Sequence, residues 1–210
     1  EGVAADIRQN LTSRGGWIDR EKFFKNHPEW YPFNRQQNKR LEGGVCVSSE
    51  EMFQELFKEI GEYLAKNPDV PQVCIGCDDY IFFCECEKCL TISESVKTLA
   101  GLPCPPYQHV VLINRVAKHF ARQYPNVRFN ILVYDGFGPA DTATFHFEPN
   151  AGAGLALLWR NHGRPIETCE RAPFILGQWS KMTANPANGL EMWDYYANFS
   201  DYYLPFPNLD

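Results

Sequence analysis

The chain has 210 residues, 44% hydrophobic and 22% charged, enough for one substantial core and so for a single domain over 1–210. A net charge of −6 with no long basic run argues against nucleic acid and anionic membrane as partners, since clustered Lys and Arg hold both. No stretch approaches the roughly 18 apolar residues that a membrane span requires.

In chain order, residues 1–16 read as an irregular lead-in. The rest of the first 44 is also irregular, apart from a helical stretch around Ile18–Asn26 before the turn-rich His27-Pro28-Glu29-Trp30. Ser48 or Ser49 is placed to cap a helix with Glu50 and Glu51 in its first turn. Phe53, Leu56, Phe57, Ile60 and Leu64 recur at helical spacing until Asn67-Pro68 ends the run. Val73–Cys77 is a short apolar run, read as a buried strand ending at Asp78 and Asp79. A cysteine-rich loop and a Gly/Pro-rich link from Gly101 to Pro106 precede an amphipathic helix over His109–Gln123. Val127–Tyr134 is predicted to be a second buried strand, and Thr144–Phe147 a third. Ala172–Met182 reads as a helix and Glu191–Tyr196 as the closing strand. Gly152-x-Gly154 lacks the third glycine and the acidic partner of a dinucleotide site, so that ligand is set aside.

Helices alternating with continuous apolar strands make parallel βαβ units. The expected fold is therefore α/β, a partial or complete (β/α) barrel of TIM type. Four or so strands cannot close an eight-stranded barrel alone, so the sheet is open or the rest of a larger polypeptide completes it.

Parallel sheets bind ligands at the carboxyl ends of their strands, and three predicted strands end in acid. These ends carry Asp78 and Asp79, then Tyr134 and Asp135, then Asp194 with Tyr195 and Tyr196. Two carboxylates facing one cleft perform glycoside hydrolysis: one protonates the leaving oxygen, and the other activates water or attacks the anomeric carbon. A single Asp after a strand is equally a turn or capping residue. Trp193 and the neighbouring tyrosines suit the apolar faces and polar rims of sugars, although core packing uses the same rings.

Eight cysteines are many for a cytosolic enzyme. Together with the sequons at Asn10 and Asn198 they point to an extracellular or periplasmic protein. The chain opens at Glu1 rather than Met, which fits a processed or truncated chain whose missing leader leaves the compartment open. Cys84, Cys86 and Cys89 offer three thiolates within six residues, and a fourth ligand completes a structural zinc site. Residues three apart on a strand point to opposite faces, so at most one of Cys74 and Cys77 turns toward the loop. Cys77 is the better placed, with Cys46 and Cys169 as distant choices; disulfides within the loop are the equal alternative. Either serves as a staple, and carboxylate catalysis requires no cofactor.

The sequence resembles the family of domain of unknown function 4838 from about residue 17 to its end. The resemblance rests on Phe24-x-x-His27-Pro28-Glu29-Trp30, Val45-Cys46-Val47-Ser48, and Asp78-Asp79 followed by Cys84-x-Cys86-Glu87-x-Cys89. It continues through Trp193-Asp194-Tyr195-Tyr196-x-Asn198-Phe199 and Leu204-Pro205-x-Pro207-Asn208. What it implies is a segment of a glycosidase-like barrel in larger, mostly bacterial, exported proteins, distantly similar to glycoside hydrolase family 20 and α-glucuronidases. Asp79, Glu29 and Asp194 match the family's motifs. Cys77-Asp78 departs from the polar amides usual there, and Gly136–Pro173 matches poorly, so the resemblance assigns no role to Asp135 or Glu148.

The expectation is thus a glycoside hydrolase or related glycan-processing enzyme. Asp79 is its general acid and Asp194 or Asp78 its second carboxylate, while Glu29, Tyr134, Trp193 and Tyr195 bind the glycan. The alternatives are a non-catalytic carbohydrate-binding domain and a metal- or disulfide-stapled interaction module.

Overall fold

The structure is a computed structural model, which describes residues 10–76, 82–98, 101–134, 146–157, 165–182 and 190–193. A short helix α1, Arg20–Phe23, is capped by Asp19, whose carboxylate accepts from the Glu21 N–H. A 3-10 turn over Pro28–Trp30 leads to a small antiparallel hairpin, β1 (Phe33–Asn34) with β2 (Lys39–Arg40). Helix α2 spans Glu50–Lys66. Ser49 caps it, accepting from Met52 N–H, and Glu50 and Glu51 meet the positive end of the helix dipole. Its buried stripe is Met52, Phe53, Leu56, Ile60 and Leu64.

After α2 come β3 (Gln72–Ile75), α3 (Glu87–Glu94), α4 (Tyr107–Phe120), β4 (Arg128–Tyr134), β5 (Ala151–Ala156), α5 (Ala172–Ser180) and β6 (Leu190–Trp193). The sheet order is β3-β4-β5-β6, every neighbour parallel. Helix α4 packs against β4 and β5 on one side of this sheet. That side carries Val73, Ile75, Phe129, Ile131, Val133, Ala153 and Leu155, all buried. Phe120 of α4 stacks on Phe129 at 5.6 Å, and Phe57 of α2 meets Phe120 edge-on at 6.2 Å. Among the described residues β3 and β6 are the edges of the sheet. Trp17 lies against β3, its indole N–H donating to the Cys74 carbonyl at 3.1 Å.

Two expectations are corrected. His146 and Phe147 are not strand. Asn114 of α4 holds this segment, donating to the His146 carbonyl at 2.9 Å and accepting from Glu148 N–H at 2.9 Å. The strand is instead Ala151–Ala156, whose sequence AGAGLA has the glycines that strands usually avoid. The cysteine-rich loop also contains a helix, α3.

Candidate functional site

The thiols of Cys46, Cys84, Cys86 and Cys89 all lie within 4.8 Å of one another. Cys46 stands on the turn before α2, where its N–H donates to the Trp30 carbonyl at 2.7 Å and its carbonyl accepts from Ser49 N–H at 3.0 Å. Gly44 allows that turn to approach the Cys84 segment. Its φ is +87°, and a Cβ there would sit 2.8 Å from the Phe82 carbonyl oxygen. Cys84 is clamped by the buried Gln108 of α4. The amide oxygen of Gln108 accepts from Cys84 N–H at 3.1 Å, and its nitrogen donates to the Cys84 carbonyl at 3.0 Å and to Ser93 Oγ at 3.0 Å. Cys86 is the N-cap of α3 and Cys89 lies in its first turn, so the helix itself sets the spacing of that pair.

The four sulfurs are spaced as metal ligands. Cys46 Sγ is 3.8 Å from Cys86 Sγ and 3.7 Å from Cys89 Sγ. Four thiolates around one ion at about 2.3 Å lie about 3.8 Å apart, whereas a disulfide closes to about 2.05 Å. Cys46, Cys84, Cys86 and Cys89 are all free thiols. Donors surround the sulfurs: Phe33 N–H reaches Cys84 Sγ at 3.4 Å and Arg40 Nη1 reaches it at 3.9 Å. Ser48 Oγ lies 3.2 Å from Cys46 Sγ and 3.4 Å from Cys86 Sγ. Such donors, with the N-terminus of α3, offset the charge of a thiolate cluster.

Hydrogen bonds from the Cys84 and Cys89 thiols pull Cys46 far below its usual range, despite burial. The hydrogen bond shared with Cys46 pushes Cys84 up to about 12 and, with burial, holds Cys89 well above its ordinary value. A soft dication would replace the remaining protons, so its binding releases protons and weakens in acid. This group could hold a metal ion.

Cys84, Cys86 and Cys89 are thus brought together as predicted, with Cys46 as the fourth thiol among the described residues. Cys77 lies outside them. Cys74 faces away on the sheet, its thiol pushed up to about 11 by burial and then by the charge of Glu191.

The sheet face opposite the helices forms the second part of the site. Parallel register places Gln72, Cys74, Arg128, Asn130, Leu132, Tyr134, Gly152, Gly154, Ala156, Glu191 and Trp193 on it. Near the strand starts, Arg128 Nη2 donates to Gln72 Oε1 at 2.6 Å and Glu191 Oε1 at 3.0 Å, and Gln72 Nε2 donates to Glu191 Oε2 at 3.1 Å. Gly152 and Gly154, between these strands, put no side chain in the way. At the carboxyl ends Tyr134 and Trp193 flank Ala156, their backbones about 10 Å apart across two strand spacings. Trp193 is 48% exposed.

Of the other expected site residues, Glu29 is half-exposed on the 3-10 turn, its carboxylate 3.3 Å from His27 Nδ1 and grouped with Glu51. Asp78, Asp79, Asp135, Asp194 and Tyr195 lie outside the described residues. No described helix is long and apolar enough to cross a membrane.

A family model described as "Domain of unknown function (DUF4838)" matches residues 8–210. No curated protein and no solved structure matches the chain.

Proposed function

This chain belongs to the DUF4838 family, and from that premise we propose that it is a glycan-processing, glycoside hydrolase-like domain. In this reading it is part of a (β/α) barrel whose rim is fixed by a structural zinc ion. The observation that carries it is the pairing of Tyr134 and Trp193 on one sheet face, at the carboxyl ends of parallel strands, with only Ala156 between them. Parallel α/β sheets hold their ligands there, and two rings over an alanine floor suit a sugar. Asp135 and Asp194 follow those rings directly in sequence, and Asp78 and Asp79 follow β3 closely. Asp79 serves as general acid and Asp194 or Asp78 as the second carboxylate, their pKa values separated by unequal burial. Zinc suits four thiols at these spacings. With every position filled by sulfur it stabilises the fold and takes no part in the reaction. Helix α2 begins beside Cys46 and α4 begins beside Gln108, so the ion ties both helices to the segment after β3.

The test is glycan turnover by the chain and its Asp79→Asn and Trp193→Ala variants on a panel of oligosaccharides. Loss of turnover in both supports the reading, whereas turnover undiminished in Asp79→Asn removes that residue from the mechanism. Glycan binding without turnover in the parent indicates a non-catalytic carbohydrate-binding domain. A second reading, a metal-stapled interaction module, is favoured by the completeness of the thiol cluster. It predicts bound zinc with neither glycan binding nor turnover.

A further inference from the structure

Asn130 is out of place as a core residue. It stands in the third position of β4, 1% exposed, and neither its amide nitrogen nor its amide oxygen has a hydrogen-bond partner. Burying both groups unpaired is costly, because each gives up its hydrogen bonds to water and gains none in return, so a folded chain is expected to supply a partner. The amide borders a cavity of about 220 Å³ on the sheet face opposite the helices, lined also by Gln72, Cys74, Leu132, Gly154 and Trp193. A water takes up about 30 Å³ of liquid, so the space exceeds what one bridging water fills and is on the scale of one sugar ring.

We propose that this cavity is a subsite for a single neutral pyranose ring, with the Asn130 amide as its hydrogen-bonding anchor. The proposal rests on the glycan reading and extends it inward from the strand ends. Asn130 presents a donor and an acceptor side by side, matching adjacent sugar hydroxyls, each of which also donates and accepts. Glu191, which borders the same space, is already engaged by Arg128 and Gln72, so the cavity favours a neutral ligand over an ionic one. Gly154 leaves the floor open, and Leu132 and Trp193 give apolar surface for a ring face.

The test uses ligand-observed NMR with methyl glucoside, methyl galactoside, methyl mannoside and N-acetylglucosamine, beside binding of an oligosaccharide panel. Asn130→Ala removes the anchor. Gly154→Val fills the cavity in a variant expected to fold, because a Cβ at residue 154 meets only Leu132 Cδ1, at 3.7 Å. The expected result is that at least one monosaccharide binds the parent, tenfold or more weakly to Asn130→Ala, a loss of about 1.4 kcal/mol, and not detectably to Gly154→Val. Oligosaccharides that bind parent and both variants alike, with no monosaccharide bound, overturn the subsite and leave the glycan reading standing. If the parent binds neither class, both fall.

Discussion

Replacing Gln108 with leucine tests how the metal cluster is tied to the fold. Gln108 is 2% exposed, and its amide takes the place of a strand partner for Cys84, satisfying both the N–H and the carbonyl of that residue. Cys84 is itself fully buried, so leucine leaves two backbone groups without partners at about 1–3 kcal/mol each. The lost bond to Ser93 adds less, because Ser93 Oγ still donates to the Cys89 carbonyl at 3.1 Å. The extra apolar burial of leucine returns about 1 kcal/mol. The net expectation is a destabilisation of about 3 kcal/mol, within the roughly 5–15 kcal/mol total of a typical domain. Urea unfolding at matched metal content would show a lower midpoint with an unchanged slope. Because Gln108 positions Cys84, metal affinity against a competing chelator falls about 10–100-fold. A variant within about 0.5 kcal/mol of the parent, with equal metal retention, would refute the clamp.

Three further outcomes are expected. Gly44→Ala forces a side chain into the left-handed region at about 1–2 kcal/mol and drives a Cβ toward the Phe82 carbonyl, so thiol labelling should find Cys46 and Cys84 exposed and metal lost. His109 is buried and neutral, its pKa pushed down to about 4 by desolvation. The unfolded chain therefore takes up that proton first, and stability, full above about pH 6.5, falls by up to about 3 kcal/mol toward pH 4. Urea midpoints against pH should flatten across this window in His109→Gln. Glu191→Gln should lower the Cys74 thiol pKa, because the Glu191 charge adds to the larger effect of burial, and the pH profile of Cys74 alkylation reads this directly. The same variant should cost under about 1 kcal/mol in stability, because the pair with Arg128 is partly solvated.

The elements that were legible were those with a strong period. Phe53 to Leu64 mark α2, and the continuous apolar runs of β3 and β4 mark buried parallel strands. β5 was hidden because its glycines remove the side chains from which a period is read. Their reason is spatial: they let Arg128 and Glu191 meet across the strand. α3 was hidden by its cysteines, which read as a loop, although Cys86 and Cys89 at helical spacing were the available sign. Cys46 stood as one distant choice among several, because the contact spans 40 residues and depends on Gly44 and Gln108, which no local pattern connects. Asn130 left no trace in the sequence, since a polar residue inside an apolar run is conspicuous only once its partners can be counted.

The most direct test of the account is native mass spectrometry of the purified chain, beside its denatured mass and elemental analysis. One zinc ion per chain is expected, lost on Cys89→Ser, with a denatured mass that retains the thiol hydrogens of Cys46, Cys84, Cys86 and Cys89. A zinc-free chain lighter by four hydrogens, with those residues paired as disulfides, would contradict it.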